Sequence, residues 1–277
     1  MKPMEKMPQL TDRAALLRNR ARADDAGLFL HELVAAEIKE RLIEVNRTFN
    51  SVAIVTGFPD FWQKEFPDAT VVADDEILAL TPASYDLVLH MMALHWANDP
   101  VGQLVQARHA LKADGLMLAT CFGGQTLHEL RASLAEAEAV VAGGLSPRIA
   151  PMGEIRDLGG LLQRAGFALP VADGTPMTAS YGNLFHLMHD LRKMGETNAL
   201  AHRPRHFTMR NIITEAASVY VENFGNDEGR IDATFEIITL TGWAPDESQQ
   251  KALRPGTATT RLADVLGTEE KPLNGKD

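Results

Sequence analysis

The strongest constraint on this chain is an alternation of short apolar, β-branched runs with segments of helical period. Residues 51–56 (SVAIVT), 70–73, 85–92 (YDLVLHMM) and 116–122 are strand-length runs bounded by turn or capping residues. Before the first of them, Leu30, Val34, Ile38 and Leu42 recur at four-residue spacing behind Asp24 and Asp25, the pattern of a capped helix. Asn98-Asp99-Pro100 supplies a cap and then a proline at the first position of a helix to about 112. Strands alternating with helices predict a parallel sheet covered on both faces.

The pattern continues with changes. Thr126 and Glu129 have capping-box spacing ahead of Leu127, Leu130 and Leu134, which share one helical face. A helix over 154–165 ends at Gly166 and feeds a strand over 167–171. Helices over 184–194 and 210–224 precede a last strand at 234–241. The expected organisation is an N-terminal helical segment (1–48) and an α/β domain (49–245). A helical insertion at about 181–225 and an irregular tail (246–277) complete it.

Ligands of such sheets lie beyond the carboxyl ends of the strands, which singles out 57–60, 74–76, 91–96 and 122–125. Composition narrows the partners. With 27 Lys plus Arg against 37 Asp plus Glu, the net charge of −10 disfavours nucleic acid and anionic lipid. The local run Arg13, Arg18, Arg20, Arg22 reads as a solvated helical face. No apolar run reaches the ~18–20 residues of a membrane helix. The start has no apolar signal core, and the single cysteine, Cys121, excludes an internal disulfide. Together these features lead to the expectation of a cytoplasmic protein without an integral membrane segment.

SYDLVLHMMALHWANDP, a helix, and LKADGLMLATCFGG resemble the fourth and fifth strands of class I S-adenosylmethionine-dependent methyltransferases. FGGQTLHELR, GGLSPRIAPMGEIRDLGGLLQRAGF, HLMHDLRKMGETNAL and ATFEIITLTGWAPDESQ resemble one subfamily of these. It is the methyltransferase-like family related to the mitochondrial respiratory complex I assembly factor that hydroxylates an arginine. The resemblance runs from about 85 to 255. It implies a Rossmann-like methyltransferase sheet, S-adenosylmethionine as cofactor, and a protein substrate or respiratory-complex subunit as partner.

The first third departs from that family. Methyltransferases carry a loop of the type [VL]-D-x-G-x-G-x-G after the first strand, whose glycines let backbone approach the ligand. Here AIVTGFPDFW keeps only Gly57, and Pro59 fixes its own φ and offers no N–H. Val55 and Leu87 lie about 30 residues apart, whereas two complete crossovers need roughly 60, so the first half of the sheet is shortened. Asp74 or Asp75 fits a ribose-binding carboxylate or, equally, an acidic helix start. Met91 and Ala93, at the end of the third strand, complete the cofactor-binding set that the resemblance implies.

His95 and Trp96 follow that strand, where catalytic side chains of this architecture project; the alternative for both is a packed strand-to-helix corner. No metal site is expected: His-x-Asp and His-x-Glu are absent, and His186 with His189 reads as an ordinary helix face. Arg192, Lys193, Glu196 and Asn198 follow an amphipathic helix and form either a lid or partner-docking surface, or a cover for the core. Two functions stay open. One is a methyltransferase-like protein acting on a protein side chain in complex I assembly. The other is a non-catalytic assembly factor that has kept the fold and lost the cofactor.

Overall fold

Two helical segments precede the first strand: α1 (Arg13–Arg20), capped by the Asp12 carboxylate on Ala15 N–H, and α2 (Phe29–Glu44). β1 (Val52–Thr56) then turns through Gly57 into α3 (Pro59–Glu65) and β2 (Thr70–Ala73). The computed structural model describes residues 9–250 together with 267 and 268, so most of the expected irregular tail lies outside the described residues. β3 (Tyr85–Met91) leads into α4 (Pro100–Ala110) and β4 (Leu111–Phe122), followed by α5 (His128–Ala142) and α6 (Ile155–Arg164). β5 (Ala168–Tyr181), α7 (Leu184–Lys193), α8 (Arg210–Phe224) and β6 (Ile231–Trp243) complete the order.

The six strands form one sheet in the order β2-β1-β3-β4-β6-β5, parallel from β2 to β4 and antiparallel through β6 and β5. This is the shortened Rossmann-like sheet, with α7 and α8 inserted before the last strand. The missing length is in the β2-to-β3 link, which runs over 74–84 with no helix.

Successive strand residues point to opposite faces, and the core divides accordingly. Ile54, Leu87, Leu89 and Leu118 face a layer that includes α2, α5, α7 and α8. Ala53, Val88, Met117 and Ala119 face α4 and α6. A third cluster packs Ala15 and Leu16 of α1 against Trp96, Ala150 and Leu200.

Two local expectations are corrected. β5 is far longer than 167–171, because Asp173-Gly174-Thr175-Pro176 lies on an edge strand, where a proline breaks no ladder. The capping box at Thr126 and Glu129 does not form. Leu127 adopts φ 53° at the helix start, Glu129 accepts from Thr234 N–H at 3.0 Å, and Thr126 Oγ1 accepts from Glu236 N–H at 3.0 Å. Both side chains tie α5 to β6 instead of closing their own helix.

No helix among the described residues is long and apolar enough to cross a membrane.

Candidate functional site

The turn after β1 is built by the residues that depart from the glycine-rich pattern. Pro59 occupies the first turn of α3, where its missing N–H would be unpaired in any case. Gly57 is kept because a side chain has no room there. A Cβ on it would stand 2.2 Å from Cζ of Arg20.

Arg20, the last residue of α1, is 7% exposed, and its guanidinium lies over that turn. Its Nη1 donates to both oxygens of Asp74, at 2.8 and 2.9 Å. Arg13, two helical turns earlier on the same face, donates through Nη2 to Asp74 Oδ1 at 2.8 Å and Asp75 Oδ1 at 2.9 Å. Asp74 is buried, whereas the Asp75 side chain is largely exposed. Burial opposes the charge on Asp74, but the two arginines outweigh it and hold the carboxyl at about 2. The arginine run is therefore not a solvated face; two of its members clamp a buried carboxylate.

S-Adenosylmethionine does not fit this arrangement. The expected ribose carboxylate, Asp74, has both oxygens engaged by arginine, and the backbone at Gly57 is covered by a guanidinium. Met91 is fully buried in the core, and Ala93 is buried at the start of a 3-10 turn over Leu94–Trp96. Gly57, Asp74, Met91 and Ala93 do lie at the carboxyl ends of β1, β2 and β3. There Gly57 and Asp74 meet arginines of α1, while Met91 packs in the main core.

A second region lies beyond the carboxyl end of β4. A cavity of about 210 Å³ is lined by Trp96, Phe122, Leu127, Leu130, Met188 and Phe235 among its apolar members, and its charged members are Glu196, Arg148 and Arg192. Trp96 Nε1 donates to Glu196 Oε2 at 2.7 Å. The His95 side chain is 1% exposed and stands behind this wall, with Nε2 3.5 Å from the same oxygen and its ring 4.8 Å from that of Phe122. Burial opposes the charge on Glu196, yet His95, Arg20 and Trp96 together hold its carboxyl below the usual range. Arg148 is committed elsewhere, donating to Glu138 at 2.7 Å and Thr208 Oγ1 at 2.8 Å. Of the charged groups in this apolar wall, Arg148 is paired and Arg192 is exposed, so at the Glu196 carboxylate the cavity suits a ligand with an apolar stem and a cationic end.

The two regions share one segment. Residues 193–199 supply Glu196, Thr197 and Asn198 to the cavity and also hold the N-terminal segment. Asn19 donates to the Thr197 carbonyl at 2.8 Å, Asp12 N–H to Ala199 at 2.8 Å, and Asp24 N–H to Lys193 at 3.0 Å. Among the described residues no three His, Cys, Asp or Glu side chains converge as metal ligands would.

Sequence reasoning missed Arg13 and Arg20. Their seven-residue spacing was the available signal: it puts both on one helical face, apart from Arg18 and Arg22. Glu196 was read only as part of a polar stretch, since nothing local to it marks burial.

The family model described as "Methyltransferase domain" matches residues 20–119. The mitochondrial arginine-hydroxylase NDUFAF5 of Dictyostelium discoideum is 41% identical over 196 residues, covering 70% of this chain and 45% of the relative. Its Homo sapiens counterpart is 39% identical over 203 residues, covering 73% and 59%. The chain thus spans roughly half the length of these relatives. Among solved structures, the candidate methyltransferase BH2331 of Bacillus halodurans C-125 is similar with a TM-score of 0.46 and 15% identity, covering 75% of this chain and 98% of that one.

The relatives' names say mitochondrial, which overturns the expected cytoplasmic location. Sparse cysteine marks any reducing compartment and does not separate a mitochondrial matrix from cytoplasm. The long motifs after Tyr85 and the matches to these relatives agree: the chain belongs to the class I methyltransferase-like family that includes the arginine-hydroxylase NDUFAF5 proteins.

Proposed function

We propose that this chain is a protein-binding member of its family that works without S-adenosylmethionine. It holds a cationic side chain of a partner protein in the cavity beyond β4. The family resemblance supports a role in respiratory complex I assembly. The observation that carries the cofactor-free part is the Arg20 guanidinium over Gly57, bonded to both oxygens of Asp74.

His95 and Trp96 then have positioning roles. Trp96 lines the cavity and fixes the Glu196 carboxylate through its indole N–H, while His95 packs behind both. Glu196 is the group that meets the partner's charge. The Glu196 side chain is 9% exposed, and an ion pair made in so low a dielectric is stronger than one in water. The relatives' name, arginine-hydroxylase, agrees with a cationic side chain as the group held.

The test is complementation of a deletion strain, with assembled complex I measured by native electrophoresis. The wild-type gene restores the complex, and Glu196→Gln, which keeps the shape and removes the charge, leaves it depleted. Normal assembly in the deletion strain, or full rescue by Glu196→Gln, contradicts the proposal.

A further inference from the structure

The cavity beyond β4 holds charges of both signs that do not meet. Among the described residues Glu196 is the one acidic group in its lining. Both contacts of that side chain, with Trp96 Nε1 and His95 Nε2, go to Oε2, so Oε1 accepts from no described residue. Arg192, near the end of α7, lines the same cavity and is exposed. Its guanidinium has no partner among the described residues, and it makes no ion pair with Glu196, although the two lie in one wall.

Two helices bring unpaired cations to this cavity. On α7, Met188 and Arg192 have i,i+4 spacing and share a face, and both line the cavity. On α8, Ile213 lines the cavity, and Arg210 precedes it by i,i+3 spacing on the same face. Arg210 is exposed, and its side chain has no partner among the described residues. The neighbouring arginines are engaged: Arg148 by Glu138 and Thr208, and Arg203 and Arg205 by Asp12. On a chain of net charge −10, these free guanidinium groups make a local site for an anion beside a wall that carries a carboxylate. Charge complementarity then calls for a ligand of both signs, with its cation at Glu196 and its anion at Arg192.

We infer that the cavity recognises a charge pair: directly beside the cationic residue that reaches Glu196, the partner segment carries an acidic residue that meets Arg192, with Arg210 adding to the attraction. This rests on the reading that the cavity holds a cationic side chain of a partner protein, and it names the sequence around that side chain. A basic residue flanked by further basic residues would set like charges against Arg192 and Arg210 and is rejected. A basic residue in a neutral setting gains Glu196 alone. Because Arg192 is exposed, the added carboxylate makes an exposed ion pair. It therefore selects among partner segments and does not supply the bulk of the affinity.

The experiment is calorimetric titration of the full chain at low ionic strength, where exposed pairs are least screened. The probes are two blocked peptides of equal size, acetyl-Ala-Glu-Arg-Glu-Ala-amide and acetyl-Ala-Gln-Arg-Gln-Ala-amide, which place carboxylates or neutral amides on either side of one cation. Wild type is expected to bind the acidic-flank peptide about threefold more tightly. Arg192→Gln is expected to erase most of that preference, and Arg192→Glu to reverse it. Arg192 is exposed and unpartnered, so both variants are expected to fold, as checked by circular dichroism. Glu196→Gln is expected to weaken both peptides alike. Equal binding of the two peptides by wild type, with both weakened in Glu196→Gln, overturns the inference and leaves the cationic-side-chain reading intact. A preference that survives Arg192→Glu also overturns the inference alone. Binding of neither peptide at about 5 mM, or binding that Glu196→Gln leaves unchanged, contradicts both.

Discussion

At the residue scale the decisive group is Asp74. Its carboxylate is buried between two guanidinium groups, and removing one partner from such a cluster leaves the others uncompensated. Asp74→Ala is therefore expected to destabilise the fold by about 3–5 kcal/mol, measured by urea unfolding at neutral pH. A loss below about 1 kcal/mol, the scale of an exposed ion pair, would show that the clamp is not what holds α1. This role differs from the ribose contact expected from the sequence. Position and residue type were legible, since an acid at the end of a short strand stands out. Its partner was not, because Arg20 lies 54 residues away and a run of four arginines looks like a solvated face until the helix pitch is applied.

At the element scale the strands and most helices were legible, and the connections between them less so. β1, β2 and β3 follow from β-branched runs, and α4 from its Asp99 cap, which accepts from Gly102 N–H at 2.8 Å. The start of α5 shows the limit of local reading. Thr126 and Glu129 have capping-box spacing, yet β6 competes for both side chains and wins. The test is Glu129→Ala, which leaves the Thr234 N–H without its acceptor in a buried setting. It is expected to cost about 1–3 kcal/mol, and Glu129→Gln, which keeps an acceptor oxygen, to recover most of it. Equal losses in the two variants would mean that the charge, rather than the hydrogen bond, ties α5 to β6. β5 was under-read for a related reason: turn-like residues on a sheet edge are tolerated once β6 supplies a partner along the other side.

At the scale of the whole molecule, acid sensitivity follows from two buried groups. His31 accepts a hydrogen bond from Trp62 Nε1 at 3.1 Å, and burial pushes its pKa down to about 4. The unfolded chain therefore binds a proton that the fold refuses between pH ~6.5 and ~4. Its contribution is fully present above pH ~6.5 and is lost by about 3 kcal/mol as pH falls through that window. Asp74 acts lower. Its depressed pKa of about 2 gives stability that is present above pH ~4 and lost toward pH ~2. Unfolding free energies between pH 7 and 4 are expected to fall with acid in the wild type and to flatten in His31→Gln, which can keep an acceptor for Trp62. An unchanged slope in that variant would remove His31 as the cause.

Family membership was legible from Tyr85 onward, because the motifs there are long and collinear. The state of the cofactor position was not, because it depends on α1 folding back over strands far along the sequence. The fold of a methyltransferase is present, and function resides in the site that the fold carries. Here α1 closes the cofactor position, while the cavity beyond β4 stays open with Glu196 in its wall.

The most direct test of the cofactor-free account is titration of the wild-type chain with S-adenosylmethionine and S-adenosylhomocysteine, followed by calorimetry and by thermal melting. The account predicts no heat of binding and no rise in melting temperature up to about 1 mM of either ligand. Micromolar binding of either one to the wild-type chain would contradict it.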